Sequence, residues 1–465
     1  MSDLDSAKLT SVNENGDRIG IIPAEVKGFF RKHRDWSQAV LLIIFLALPW
    51  TTINGHPTIF LNVPEREFAL FGLLFKAHDA PLLVFVLGSL ALTLAFVTSV
   101  WGRIWCGWAC PQTVFIDGVY RRIEKLVEGT YIERRKLRDA PMSFQKFRIY
   151  SLKWFLFVVV SGLIAHSFMA YFIGATNLLE MMQHSPSENL TYFVLVFSFT
   201  ALILFDFAWF REQFCTIACP YGRIQSVLLD QKSMAIVYDV ARGEPRKSRA
   251  LANQPAGDCV SCNRCVQVCP TGIDIRNGLQ MECIACTACA DACDEIMVKV
   301  KKPTGLIGYK TLDGSKIKLL KPRSILYMVG IGLMILALII SVARRTPADW
   351  TILRGQGLPY SFVKGESGED LILNQFRLHI QNQSGEDASY SLSIPAPHSD
   401  SVSLTVAQST LVLKPGESRE WYFFVRFPKN KLPASGQLPI QLQLKDSLSK
   451  DGYEEIKPLI LLGPQ

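Results

Sequence analysis

No cysteine precedes Cys106 and none follows Cys293 in a chain of 465 residues. Disulfide-stapled secreted proteins spread their pairs through a loop-rich chain. Twelve cysteines crowded into tight strings exclude that class and point to metal binding or redox chemistry. Charge is scarce too: 19% of residues are Asp, Glu, Lys or Arg, and the mean hydropathy is +0.20, too apolar for an ordinary soluble protein. No strand-GxGxxG-helix unit is present, so the usual fingerprint for NAD or flavin is missing. The first 36 residues are polar and charged, and no cleavable signal peptide is expected. The net charge of +8 does not imply a nucleic-acid partner, because Lys and Arg sit beside apolar runs where membrane topology accounts for them.

Five apolar runs, at approximately 37–55, 81–100, 152–174, 190–210 and 325–343, approach the 20 or so residues needed to cross a bilayer core. The first is short. The patch "FALFGLLF" (Phe68 to Phe75) is shorter still and reads as interfacial or re-entrant. "KGFFRKHR" (Lys27 to Arg34) places the N-terminus in the cytoplasm. The second-to-third and fourth-to-fifth connections are basic, whereas "TNLLEMMQHSPSEN" between the third and fourth runs has no Lys or Arg. This bias orients five spans with the C-terminus outside, against which Arg344 and Arg345 are a mild violation. The lipid bilayer is thus the first expected partner. Beyond Pro347 the pattern changes: Phe376, Leu378 and Ile380 alternate, and short strands separated by polar turns predict a small β-sandwich over 347–465.

Eight cysteines form C-x2-C-x2-C-x3-C twice: Cys259, Cys262, Cys265 and Cys269, then Cys283, Cys286, Cys289 and Cys293. That is the arrangement of bacterial two-cluster ferredoxins, in which the fourth cysteine of each string completes the other cluster. The expected [4Fe-4S] ligand sets are therefore Cys259, Cys262, Cys265 and Cys293, and Cys283, Cys286, Cys289 and Cys269. Structural zinc is the alternative for paired C-x2-C strings, and the duplicated register disfavours it. Asp294 stands where the second motif would usually have proline.

The other four cysteines lie in "CGWACP" (Cys106 to Pro111) and "CTIACP" (Cys215 to Pro220), after the second and fourth runs. Proline suits the first position of a helix, so Cys110 and Cys219 are expected at helix N-termini. There the helix dipole, with Arg103, Arg211 and Arg223 nearby, would lower the thiol pKa. The repetition implies an internal duplication of a two-span unit. Four converging thiolates would suit a soft ion, most naturally Cu(I), or a dithiol relay, whereas the plain alternative is buried packing cysteines. His166, Met169, Met181, Met182 and His184 could mark a copper entry route, though such residues more often pack or sit at the interface. Asp206 is a proton-relay candidate.

"WGRIWCGWACPQT", "EQFCTIACPYGRIQ", the paired cysteine strings and "KPTGLIGY" together closely resemble the CcoG/FixG/RdxA family of cytochrome c oxidase accessory proteins, membrane polyferredoxins, over nearly the whole chain. The resemblance implies a multidomain membrane protein: a cytoplasmic segment (1–36), a four-span α-helical domain (37–230), a cytoplasmic ferredoxin domain with two [4Fe-4S] clusters (231–324), a fifth transmembrane helix (325–343) and a periplasmic immunoglobulin-like β-sandwich. It implies a bacterial inner-membrane enzyme that reduces Cu(II) to Cu(I) for assembly of cbb3-type oxidase. Cys106, Cys110, Cys215 and Cys219 would handle copper, and a Cu(I) chaperone or transporter and oxidase assembly factors would be partners. The electron donor is not identified. A quinol dehydrogenase passing electrons to another acceptor, and a non-enzymatic assembly scaffold, are the rival readings.

Overall fold

The computed structural model describes residues 20–53, 56–64, 67–75, 80–248, 256–315, 317–344, 346–355, 357–364, 369–384, 386–397, 402–448 and 452–464. Residues 1–19 of the segment expected in the cytoplasm, residues 54–55 at the end of the first expected span, and Arg345 lie outside them. The chain divides into two compact units, Met1–Ile339 and Ile340–Gln465.

The first unit begins with helix α1 (Phe29–Ala47). A hairpin, β1 (Thr52–Ile53) with β2 (His56–Pro57), is followed by the sheet β3 (Ile59–Asn62), β4 (Glu67–Leu70) and β5 (Leu73–Phe75). The apolar patch from Phe68 to Phe75, read as interfacial or re-entrant, forms the β4–β5 pair, with Phe68 opposite Phe75. The helices α2 (Ala80–Trp101), α3 (Ile104–Trp108), α4 (Pro111–Phe115), α5 (Arg121–Glu128), α6 (Tyr131–Asp139), α7 (Phe144–Ile173), α8 (Ala175–Gln183), α9 (Leu190–Leu204) and α10 (Pro220–Leu228) follow. π-helical turns occupy Ile116–Tyr120, Phe205–Phe210 and Phe214–Ala218.

Among the described residues four helices are long and apolar enough to cross a membrane: Leu82–Trp101, Phe144–Ile173, Leu190–Phe210 and Pro322–Ala343. They match the second to fifth expected runs, and the last is helix α14 (Pro322–Ala343). Helix α1 is not among them. Its first two turns carry Arg31, Lys32, Arg34 and Asp35, and the apolar stretch from Ala39 to Trp50 is roughly 18 Å long at helical rise. Its end nonetheless comes level with the end of α7, where the Tyr171 hydroxyl donates to the Phe45 carbonyl at 2.7 Å. Helix α7 is bounded by Ser143, whose hydroxyl accepts from Lys146 N–H at 3.2 Å, and by Gly174 at φ +89°.

The cysteine strings lie between two antiparallel strands, β6 (Met234–Tyr238) and β7 (Ile307–Thr311). Three short helices fill the interval: α11 (Val240–Gly243), α12 (Arg264–Gln267) and α13 (Ala288–Lys299). Ile236, Tyr238, Met297, Leu306 and Ile307 form their common core with Cys259 and Cys265.

The second unit is a β-sandwich, in agreement with the strand pattern. One sheet runs β12 (Ser403–Val406), β14 (Ser418–Pro428), β10 (Asp370–Asn382), β8 (Ala348–Arg354), with β9 (Ser361–Lys364) also paired to β10. The other runs β13 (Leu411–Leu413), β11 (Ala388–Ser393), β15 (Gln437–Asp446), β16 (Glu454–Leu462). Phe376, Leu378 and Ile380 all point inward, as two-residue periodicity requires. Phe376 faces Phe423 across the ladder with ring centroids 5.3 Å apart.

Candidate metal and electron-transfer site

The two ferredoxin strings share a backbone shape. Ser261 and Asn263 flank Cys262 at φ +61° and +56°, and Ala285 and Thr287 flank Cys286 at +53° and +62°. Left-handed residues on both sides of a middle cysteine curl each loop tightly, and non-glycine residues adopt that conformation only when the surroundings enforce it. The curl turns consecutive thiols toward a common interior.

Cys293 has Cys265, Cys262 and Cys259 as electrostatic neighbours, and Cys289 has Cys286, Cys283, Cys269 and Cys265. Cys269, Cys283, Cys286 and Cys289 also line one narrow apolar gap, together with Cys265. Burial pushes Cys265 up to about 11 and Cys283 and Cys293 up to about 12. Such crowded buried sulfurs are stable as thiolates only when compensating positive charge is present. The donor chemistry and the curled loops thus fit iron–sulfur clusters. No three His, Cys, Asp or Glu among the described residues are grouped as ligands of a single metal ion.

Asp294 has a clear place. It lies inside α13, where proline would remove a helical hydrogen bond, and its carboxylate accepts from Gly305 N–H at 2.7 Å. Pro270, by contrast, follows the end of α12.

The two Cys-x3-Cys-Pro strings are built alike. Cys110 and Cys219 are the N-caps of α4 and α10, both extended, with Pro111 and Pro220 at the first helical position as expected. Cys110 N–H donates to the Trp105 carbonyl and Cys219 N–H to the Phe214 carbonyl, each at 2.8 Å and five residues back. The carbonyl of each first cysteine meets the same position of the next helix: Thr113 Oγ1 donates to Cys106 O at 2.6 Å, and a Cβ on Gly222 would lie 2.7 Å from Cys215 O. The residue after each proline crosses to the other half. Gln112 Nε2 donates to Asp206 at 2.9 Å, while the Tyr221 hydroxyl bonds the Thr98 hydroxyl at 2.5 Å. Asp206 and Thr98 both end the apolar helix before the opposite motif, so the contacts relate the two motifs reciprocally.

This arrangement makes Cys106, Cys110, Cys215 and Cys219 electrostatic neighbours of one another. The acidity of Cys110 departs from the sequence expectation. Burial pushes Cys106 up to about 12 and raises Cys110 and Cys215 as well, and neighbouring thiols add to the shift at Cys106 and Cys215. Arg103 lowers Cys106, but less than burial raises it, and the expected arginines also have other partners. Arg103 donates to the carbonyls of Met281 and Cys283, Arg211 pairs with Glu124, and Arg223 reaches the Ile217 carbonyl at 3.4 Å. At Cys110 desolvation outweighs the lowering by the Gln112 and Thr113 N–H groups at the start of the helix.

The first Cys-x3-Cys turn is pressed onto the second ferredoxin loop. A Cβ on Gly107 would lie 2.8 Å from the Ala285 carbonyl carbon and 2.9 Å from Ile284 O. The loop's carbonyls are held individually: Cys283 O by Arg103 at 2.9 Å, Ala285 O by Tyr309 Oη at 3.2 Å, and Cys286 O by Arg34 at 3.2 Å. Trp108 Nε1 completes the link by donating to Tyr309 Oη at 2.9 Å.

Behind this contact is a buried ionic network whose arginines sequence reading took for topology-setting charge or, at Arg211, for a cation lowering the thiols. Arg34 and Arg121 meet at Asp117, Arg121 also pairs with Glu212, and Arg134 and Arg211 meet at Glu124. Four-residue spacing of Asp117 and Arg121 was its one local signal. The soft residues of the proposed entry route do not assemble. Met169 packs among Ala170, Ala175 and Leu178, His166 Nδ1 bonds its own helix at Gly162 O, and His184 pairs with Glu188, while Met181 and Met182 lie on α8.

Comparison with known proteins covers most of the chain. Residues 210–312 match a 4Fe-4S dicluster domain, residues 83–129 a 4Fe-4S binding domain, and residues 338–463 the IG-like fold at the C-terminal of FixG. Protein RdxA of Cereibacter sphaeroides is 33% identical over 81% of this chain and 82% of its own. Protein RdxB of the same organism is 32% identical over 86% of each. Nitrogen fixation protein FixG of Rhizobium meliloti is 36% identical over 64% of this chain and 58% of its own.

Proposed function

Starting from a chain that belongs to the FixG/RdxA family of iron–sulfur electron-transfer membrane proteins, we propose that it is a cupric reductase of the bacterial inner membrane. It converts Cu(II) to Cu(I) for assembly of the copper site of cbb3-type oxidase. The observation that carries this reading is the seating of Gly107, between Cys106 and Cys110, directly on the backbone between Cys283 and Cys286.

Cys259, Cys262, Cys265 and Cys293 would hold one [4Fe-4S] cluster, and Cys283, Cys286, Cys289 and Cys269 the other. When bound, such clusters store and pass single electrons. The protein's own part is positional. Arg103, Tyr309 and Arg34 fix the second loop, and Trp108 ties it to the first membrane-edge motif. Cys106, Cys110, Cys215 and Cys219 offer soft donors that favour Cu(I) over Cu(II), so transfer of one electron to copper is helped by the preference of the ligands for the product. Binding copper also relieves the crowding of buried thiols by exchanging their protons for the ion. The basic connections favour an orientation with the cysteine loops in the cytoplasm and the sandwich in the periplasm.

The test is anaerobic purification, reduction, and addition of Cu(II) while following re-oxidation of the cluster absorbance and formation of Cu(I). The reading requires Cu(II)-dependent re-oxidation that is lost when all four membrane-edge cysteines are changed to serine. Unchanged turnover in that variant would remove copper from this site.

One finding favours a second reading, that the membrane-edge cysteines hold a further cluster. The 4Fe-4S binding domain match at 83–129 includes Cys106 and Cys110 and no other cysteine. Iron content separates the two readings, at about eight per chain for two clusters and about twelve for three.

A further inference from the structure

A cavity of about 1080 Å³ opens beside α1, far larger than a free phosphate needs. Its polar part is strongly basic. Lys27, Arg31, Lys32, Arg34, Arg122 and Lys125 face it, against Glu25, Asp35 and Asp117. The carboxylates are already shared: Asp35 pairs with Arg31 and Arg122, Asp117 with Arg34 and Arg121, and Glu25 lies 3.9 Å from Lys125. Among the described residues Lys27 and Lys32 have no carboxylate partner, and both are exposed. Arg34 is 2% exposed and its Nε has no hydrogen-bond partner. The cavity thus holds more cationic donors than the chain's own acids satisfy.

Its other part is apolar. Trp36, Ala39, Val40 and Ile43 line it farther along the same helix, and Trp36 and Ile43 are 69% and 64% exposed. Positive charge at one end and an apolar helix face one to two turns deeper match a molecule with an anionic head and a hydrocarbon tail. The remaining wall includes Val268, Pro270, Cys286 and Ala288 of the cysteine loops.

We propose that this cavity is a binding site for one anionic phospholipid. Its phosphate lies among Lys27, Arg31, Lys32 and Arg122, and an acyl chain runs along Trp36, Val40 and Ile43. Basic residues at a membrane surface attract anionic headgroups, and an interfacial tryptophan beside them marks the depth of the headgroup layer. Because the cavity wall is made by α1 and the cysteine loops together, the lipid fastens the loops to the bilayer surface. A free anion would use only the basic end.

Native mass spectrometry of the full chain, titrated in detergent with phosphatidylglycerol, cardiolipin or phosphatidylcholine, tests this. One phosphatidylglycerol or cardiolipin retained per chain, with phosphatidylcholine lost, is expected. The triple variant Lys27→Gln/Lys32→Gln/Arg122→Gln changes only exposed side chains and should weaken retention at least about tenfold. Trp36→Ala should weaken it too, and inorganic phosphate should fail to displace the lipid. An unchanged melting temperature shows that each variant is folded. Equal retention of phosphatidylcholine, wild-type retention by the triple variant, or full displacement by inorganic phosphate would overturn the proposal. So would retention that appears only after residues 1–19 are deleted, since the chain's own N-terminal segment would then be the occupant.

Discussion

Gly107 and Ala285 touch backbone to backbone: a side chain at 107 would drive its Cβ to 2.8 Å from the Ala285 carbonyl carbon. Gly107 directly follows Cys106 in the first Cys-x3-Cys string, and Ala285 directly precedes Cys286 in a ferredoxin C-x2-C. Any larger residue at 107 must separate the two. Because electron-transfer rates fall steeply with distance, Gly107→Val should slow Cu(II)-dependent re-oxidation by about tenfold or more, with a comparable iron content and cluster absorbance. Stopped-flow absorbance after Cu(II) addition measures it. A wild-type rate in a variant with wild-type iron content would show that electrons do not pass through this contact.

Helix α1 starts on a side chain far away in sequence. The buried carboxylate of Asp291, in α13, accepts from Phe30 N–H at 3.1 Å and Arg31 N–H at 2.6 Å. It serves as the N-cap that Gly28 cannot provide. Asp291→Ala leaves two half-buried N–H donors without this acceptor and should cost about 2 kcal/mol. A melting temperature lowered by several degrees in fluorescence-detected unfolding is the expected outcome, and no shift would mean that water caps the helix equally well.

The difference between what sequence reading reached and what it missed follows from the range of the interactions. Cysteine spacing, the alternation of Phe376, Leu378 and Ile380, and proline at helix starts are local signals, and those elements stand where they were expected. The strands at Phe68 were not read from the sequence because a short apolar run alone does not fix secondary structure; pairing with β3 makes the run a strand. The acidity of Cys110 went the other way because burial is a property of the assembled fold. Asp291 at the α1 terminus, Gly107 on Ala285 and Glu124 between two arginines all join residues that are distant in sequence, and no periodicity marks them.

The proposed exchange of the fourth cysteines between the two strings is open to experiment. Cys293 neighbours Cys259, Cys262 and Cys265, while Cys269 shares a gap with Cys265, Cys283, Cys286 and Cys289. Under that assignment Cys293→Ser should perturb the same cluster as Cys259→Ser, and Cys269→Ser the same cluster as Cys283→Ser. Each single variant should retain about half of the iron, with matching residual electron paramagnetic resonance spectra within each pair. A Cys293→Ser spectrum that matches that of Cys283→Ser instead would mean that the strings do not exchange ligands.

Acid sensitivity should be concentrated at Glu124. Burial alone would push its carboxyl up, yet Arg211 and Arg134 hold it down to about 2, well below its ordinary 4.5. A depressed carboxylate stabilises the fold at pH values above its unfolded pKa and loses that contribution as pH falls toward its folded one. The window is therefore about 4.5 down to about 2. Glu124→Gln removes the negative charge at every pH and leaves Arg134 and Arg211 facing each other, which should cost about 3–5 kcal/mol near neutrality. The melting temperatures of wild type and variant should differ most at neutral pH and converge as pH falls through that window. A gap that stays constant with pH would show that Glu124 contributes by shape and hydrogen bonding, with its charge playing no part.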